Sequence, residues 1–126
     1  MNKAITIDDI KYTLTPVVKE EPLICNLNGV DYFLGPEAPD ELNWEEAKEW
    51  CKELGADYEL PSREVLLIAM LKLTGAGWVS GCYWTSSEHC DTDAWIQYWY
   101  SFNPGNQYSN VKDLAYRVRA IRRTVI

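Results

Sequence analysis

The sequence has no long apolar run, little positive charge, no Cys-x-x-Cys pair and only 2 Phe in 126 residues. Each shortage removes a class of protein. No stretch approaches the roughly 18 apolar residues of a membrane span, and the Val65–Leu73 run is far too short, so membrane insertion is not expected. Lys and Arg number 12 against 19 Asp and Glu, a formal charge of −7. That balance opposes a broad nucleic-acid or anionic-membrane surface, because phosphates require a positive field. The one basic cluster, Arg117, Arg119, Arg122 and Arg123, reads as ion-pair partners for the many Glu residues.

The start, MNKAITIDDIKY, lacks an apolar signal core. Synthesis and retention in a reducing cytosol are therefore expected, unless the chain leaves within a virion or a larger assembly. There Cys25, Cys51, Cys82 and Cys90 are expected to be free thiols. With His89 they lack the spacing of a zinc site, and neither metal nor cofactor is expected.

What is abundant is Tyr and Trp: 8 and 6 residues against 2 Phe. Both rings carry a polar atom that tolerates water, which favours surfaces and interfaces. Hydrophobic and charged shares of 47% and 25% are ordinary for a soluble globular protein, and 126 residues suit one domain, residues 1–126.

Along the chain, Ile10, Tyr12 and Leu14 alternate with polar residues as a half-buried strand ended by Pro16. Two apolar runs, Leu23–Leu27 and Val30–Leu34, flank Asn28-Gly29, a type I′ hairpin signal, and Gly35-Pro36 closes the second. Asn43 and Glu46 form a capping box for a helix whose apolar stripe is Trp44, Ala47, Cys51 and Leu54, with Gly55 as its stop. Ser62 caps a second helix running to Thr74. It is apolar on nearly every side, so it is expected to be central and deeply buried. Gly75, Gly77 and Gly81 then break the chain, Tyr83-Trp84-Thr85 is a short strand, and Ser86–Asp93 is a polar loop. Strands, two helices, then strands and loops, with no βαβ alternation, give an α+β domain with an antiparallel sheet.

The stretch Ala94–Arg119 carries the functional signal. Trp95, Gln97 and Trp99 alternate with Ile96, Tyr98 and Tyr100, so one face fills a core while the other still holds rings. Pro104-Gly105 marks a turn, Asn106–Asn110 is rich in Asn, Tyr and Ser, and Tyr116–Ala120 is a further strand. Stiff amphipathic rings among small polar groups have the chemistry of a paratope.

A string of motifs carries a family resemblance. Trp44-x-x-Ala47-x-x-Trp50-Cys51, Leu60-Pro61-Ser62-x-Glu64, Tyr83-Trp84-Thr85-Ser86-Ser87, Ala94-Trp95 and Arg117-Val118-Arg119-Ala120-Ile121-Arg122 occur in that order. They resemble the C-type lectin-like domains of the formylglycine-generating-enzyme-related group. The likeness spans roughly residues 30–123 and leaves the N-terminal strands outside. Within that group, the Ala94-Trp95-x-Gln97-x-Trp99 string, the Gly105-x-Gln107 step, Lys112 and RVRAIR are similar to the variable proteins of diversity-generating retroelements. In those, a reverse transcriptase rewrites adenine-containing codons to randomise a ligand-binding face. An AAC or AAT codon rewritten at its adenines never encodes Gln, Lys, Glu, Met or Trp. The candidate rewritten positions (residues 89–93, 96, 98, 100–103, 106, 108–111 and 113–116) hold none of these, whereas Trp95, Gln97, Trp99, Gln107 and Lys112 are all of excluded types. The Tyr100–Pro104 segment is longer than the family's usual link, so a protruding loop is expected there.

The resemblance implies two helices packed on small twisted antiparallel sheets, and a display protein for an unidentified protein or surface ligand. Tyr98, Tyr100, Phe102, Tyr108 and Tyr116 would supply contact area; Asp91, Asp93, Asn103, Asn106, Ser109, Asn110 and Asp113 would supply hydrogen bonds; His89 and Ile96 complete the set. Trp95, Trp99, Val118 and Ala120 would face the core. The alternative is a phage structural or cytosolic interaction protein using the same face for a fixed partner. Catalysis is not expected: Cys82 and Cys90 flank the YWTSSE motif instead of forming a close pair, and His89 has no evident triad partner. A calcium-dependent sugar site could draw on Asp91, Asp93 and Asn103, but the Glu-Pro-Asn and Trp-Asn-Asp motifs of sugar-binding lectins are absent.

Overall fold

The computed structural model describes residues 21–125, and the strand expected at Ile10–Leu14 lies outside them. The first element is the anticipated hairpin, β1 (Leu23–Leu27) and β2 (Val30–Glu37). Asn28 and Gly29 take φ of 55° and 82°, the two positive values a type I′ turn requires. Gly35-Pro36 does not end β2. The strand runs on to Glu37 with a slip in its pairing to the last strand between Leu34 and Glu37. A Cβ on Gly35 would lie 3.0 Å from the Ala120 carbonyl oxygen, so close backbone approach fixes glycine there.

Helix α1 (Trp44–Leu54) begins with the expected capping box: Asn43 Oδ1 accepts from the Glu46 N–H at 2.9 Å, and Glu46 Oε1 accepts from the Asn43 N–H at 3.0 Å. Trp44, Ala47 and Cys51 are buried, and burial pushes the Cys51 thiol up to about 12. Leu54, at the fraying end of the stripe, is exposed. The two-residue strand β3 (Tyr58–Glu59) follows, then α2 (Arg63–Lys72), capped by Ser62. The expectation of a helix covered on nearly every side is corrected. Val65, Leu66, Ala69 and Met70 are buried against strands of both sheets, but Leu71 is 59% exposed, on a part of the helix that no strand covers.

The second half supplies β4 (Gly81–Glu88), β5 (Asp93–Tyr100), β6 (Asn103–Val111) and β7 (Arg119–Val125). Two antiparallel sheets result, ordered β1-β2-β7-β3 and β4-β5-β6. The three-stranded sheet lies between two apolar clusters. On one face Tyr83 and Trp99 join Val65, Leu66, Ala69 and Met70 of α2. On the other, Trp84, Ala94 and Ile96 join Trp44, Ala47 and Cys51 of α1 with Val118 and Ala120. The indoles are anchored at their polar ends as well, Trp44 Nε1 to the Thr85 carbonyl at 2.8 Å and Trp84 Nε1 to the Leu42 carbonyl at 2.9 Å. The basic cluster is spent on ion pairs, Arg117 and Arg119 with Glu37, Arg122 with Glu21, and Arg123 with Glu59.

A buried polar knot ties the long α2–β4 connection to both sheets. The Tyr83 hydroxyl donates to Glu37 Oε1 at 2.6 Å and accepts from the Val79 N–H at 2.9 Å. Arg119 donates to the Gly35 and Ala76 carbonyls at 2.7 and 2.9 Å. Burial first, then the hydrogen bond to Glu37, hold the Tyr83 phenol well above its ordinary value of 10.0. A phenol whose folded value is raised contributes stability that is whole below the unfolded value and lost as pH rises past it. Tyr83→Phe should therefore cost about 1–3 kcal/mol near neutrality by removing a hydrogen bond from Glu37 and leaving the Val79 N–H without its acceptor. It should also lose stability less steeply than the parent above about pH 10. Urea denaturation on both sides of that pH checks this; parallel pH profiles for the two proteins would count against the knot.

Candidate functional site

The β5–β6 hairpin forms the candidate site, and its turn is not where Pro104-Gly105 would place it. Tyr100 pairs with Asn103, so Ser101 and Phe102 make the turn, with φ of 51° and 67°. The protruding loop expected over Tyr100–Pro104 is thus a tight two-residue turn. Pro104 and Gly105 sit inside β6 at a bulge, where the pairing slips between Gln97 and Trp99. A Cβ on Gly105 would come 3.3 Å from the Tyr98 side chain, a tight approach that favours glycine at this bulge.

Register then sorts the side chains, since residues paired across antiparallel strands share a face. Tyr100 pairs with Asn103, Ile96 with Tyr108, and Ala94 with Asn110, so Tyr98, Tyr100, Asn103, Tyr108 and Asn110 lie on one face. The Tyr98 and Tyr100 rings stack with centroids 5.9 Å apart. Asn106 Nδ2 donates to the Tyr108 hydroxyl at 3.2 Å, and Asn110 Nδ2 to the Tyr116 hydroxyl at 2.8 Å. Tyr116 meets Trp84 edge-on at 5.0 Å and closes the lower end of the face. Tyr100 is 61%, Tyr108 49% and Phe102, at the tip, 84% exposed.

Ile96 is a correction. It was expected at the surface and is 3% exposed, in the cluster with Trp84, Val118 and Ala120. Alternation assigns a face but not what covers it, and the central strand is covered on both sides at this point. Trp95 is corrected in the opposite sense. It is half-buried, with the Arg63 guanidinium 3.7 Å above its ring and His89 edge-on at 5.3 Å. By register Asp93 and Ser109 share this second face with Trp95, so they and His89 stand apart from the tyrosines. Asp91 lies in the β4–β5 connection, where its carbonyl accepts from Lys112 Nζ at 2.8 Å, and Asp113 is exposed just after β6.

Behind the tyrosines is a fully bonded amide pair. Gln97 is buried; its Nε2 donates to the Tyr98 and Gly105 carbonyls at 3.0 and 2.9 Å, and its Oε1 accepts from Gln107 Nε2 at 2.8 Å. Gln107 in turn donates to the Arg63 carbonyl at 3.1 Å and accepts from Arg63 Nε at 2.9 Å. Lys112 is likewise occupied, bonded to Glu88, whose carboxyl it holds below the ordinary range.

Two cysteines border the site. Cys82 pairs with Tyr98 across β4 and β5 and was not among the expected contact residues; alternation from Trp84 places it on the tyrosine face. Burial, then the Glu41 charge, push its thiol up, which makes it a poor nucleophile. Cys90 is exposed in the β4–β5 connection, and a hydrogen bond with Thr92 lowers its thiol. Among the described residues no group of three or more His, Cys, Asp or Glu side chains could hold a metal ion. Among the described residues, the tyrosine face offers rings and amides for contact.

No protein-family profile matches the chain, and no curated protein matches it. Among solved structures it is similar to EMS16, a C-type lectin-like snake venom protein described as an antagonist of the collagen receptor integrin α2β1. The TM-score is 0.53 at 11% identity, over 78% of this chain and 94% of that one. At that identity the likeness is one of backbone: two helices against small antiparallel sheets. The chain has the α+β, C-type lectin-like fold.

Proposed function

We propose that this chain is a ligand-binding display protein, not an enzyme, and that Tyr98, Tyr100 and Tyr108 are the centre of its contact surface. One observation carries the reading: these tyrosines share an exposed face whose backing, Gln97 and Gln107, is saturated with internal hydrogen bonds. The contact groups are thereby separated from the groups that hold the sheet. Aromatic rings bury roughly 150–250 Å² each on contact. Asn106 and Asn110 supply adaptable amides beside them, and Phe102 and Asn103 extend the surface at the tip. EMS16 uses the same fold to antagonise an integrin, so the fold is compatible with protein recognition.

The finer reading is that this face is diversified by a retroelement of the kind the motifs resemble. Its support is a coincidence of codon logic with packing. The five residues of types that rewritten AAC or AAT codons cannot produce are all engaged: Trp99 and Gln97 are buried, Gln107 bridges Gln97 to Arg63, Lys112 bonds Glu88, and Trp95 lies under Arg63. Ile96 is the candidate position that packing disfavours. Sequencing this gene and its neighbourhood across related genomes tests the idea. Substitutions should concentrate at adenines of the candidate codons between residues 89 and 116, beside a near-copy of the segment and a reverse transcriptase gene; uniform variation with no near-copy rejects diversification and leaves a fixed partner.

Two sets of variants separate contact from framework. Replacing Tyr98, Tyr100 and Tyr108 with Ala together should abolish capture of a ligand selected on the parent protein while lowering stability by no more than about 1.5 kcal/mol. Gln97→Leu should do the reverse, costing about 2–4 kcal/mol by stranding the Gly105 carbonyl and the Gln107 amide. Chemical denaturation alongside ligand capture reads both; a triple variant that unfolds would show that the tyrosines are structural.

A further inference from the structure

The edge of β6 has an unusual property for a sheet margin. β6 ends its sheet, and the direction of each backbone group can be traced. The Asp93 N–H and C=O both bond back to the β4–β5 connection, at Cys90 and His89, so they point away from β6. Val111, its partner, accordingly turns its N–H outward, where Asn110 Oδ1 accepts it at 2.8 Å. One residue on, the Lys112 N–H points inward to the Thr92 carbonyl at 2.9 Å. The Trp95 carbonyl also turns from β6, accepting from Thr85 Oγ1 at 2.8 Å. By alternation Gln107 and Ser109 direct their N–H and C=O groups out of the sheet edge, while the Val111 carbonyl accepts from the Leu114 N–H at 3.1 Å. Among the described residues nothing bonds those of Gln107 or Ser109.

Sheet margins are ordinarily guarded by charge, lysine above all. Asn103–Val111 has no charged side chain in a chain of net charge −7. The adjoining lysine, Lys112, is folded away onto Glu88 with its side chain 14% exposed. Pro104 and the bulge blunt only the first part of the strand, leaving Gln107–Val111 regular.

We propose that this edge pairs antiparallel with the same edge of a second copy of the chain, about a twofold axis at Ser109. An antiparallel edge is its own complement under a twofold rotation, so no other partner is needed to satisfy it. Ser109 then exchanges both backbone bonds with Ser109 of the second copy, and the Gln107 N–H meets the remaining lone pair of the Val111 carbonyl of the second copy. Tyr108 comes to lie beside Asn110 of the second copy, repeating the tyrosine–amide pairing already present at Asn106–Tyr108 and Asn110–Tyr116. No like charges meet along the seam. The product is a continuous six-stranded sheet with two tyrosine faces side by side, which suits bivalent engagement.

Sedimentation velocity on the full chain from about 10 μM to 1 mM, without ligand, tests this apart from the proposed function. A reversible dimer is expected. Ser109→Pro removes an outward N–H while leaving the β5 ladder intact, and should raise the dimer dissociation constant by at least about tenfold. Ser109→Lys and Ser109→Glu should each be monomeric alone, through like charges meeting at the axis, and should associate when mixed. A chain monomeric throughout the range overturns the proposal, as does a dimer indifferent to the proline and to both charges.

Discussion

The Gln97–Gln107 bridge is the constraint on which the three-stranded sheet turns. A buried amide stabilises its surroundings only when every donor and acceptor is used, since one orphaned group costs about as much as several hydrogen bonds return. Here both Gln97 donors and its acceptor are engaged, as are those of Gln107. Reversing either amide would set donor against donor, so the network also fixes its own orientation. It reaches from the bulge at Gly105 to the start of α2 at Arg63, and thereby holds the hairpin at a set angle to the helix. Because the bonds run to backbone carbonyls and to other framework side chains, the tyrosine rings on the opposite face take no part in them.

That separation follows from the pleat. In a strand with both faces covered, neither set of side chains could vary freely. β5 is covered on both sides at Ala94, Ile96 and Gln97, but the cover withdraws on the tyrosine side beyond Ile96, and Tyr98 and Tyr100 emerge. The segment through Tyr116 and Arg117 closes one margin of that face through its bridges to Leu42 and Tyr83. Exposure is thus graded along a single strand. The same gradient explains why Tyr116, half-buried against Trp84, belongs as much to the core as to the surface.

The sequence disclosed those features whose cause is local. Asn28-Gly29 specifies its turn by steric tolerance of positive φ, and Asn43 and Ser62 specify helix starts by hydrogen bonds three residues away. It misled where the cause is distant. Pro104-Gly105 reads as a turn, yet the same residues suit a bulge, and β5–β6 pairing forced the turn onto Ser101-Phe102 despite their poor fit to positive φ. Ile96 and Trp95 failed together, because period two divides a strand into faces without saying which neighbour arrives to cover each. Arg63, some thirty positions upstream, decides the exposure of Trp95, and no pattern within Ala94–Arg119 encodes that. The tyrosine face itself was legible because Tyr with Asn and Ser is a surface composition wherever its strand falls.

Electrostatics complete the division. The arginines that end the chain are drawn into pairs with Glu21, Glu37 and Glu59, which bind β7 to the rest of its sheet. Where such pairs are largely exposed, as at Arg123 and Glu59, they contribute little. Arg119, mostly buried and bonded to two carbonyls, contributes through geometry, because withdrawing it would orphan the Gly35 and Ala76 carbonyls together. Charge in this molecule therefore fastens the framework, and the hairpin from Trp95 to Asn110 is left with none. Under the proposed function, a surface without fixed charge would discriminate by shape and by hydrogen bonds at short range, and its specificity would reside in which rings and amides it presents. On that reading, changing those would alter what is recognised without disturbing what is folded.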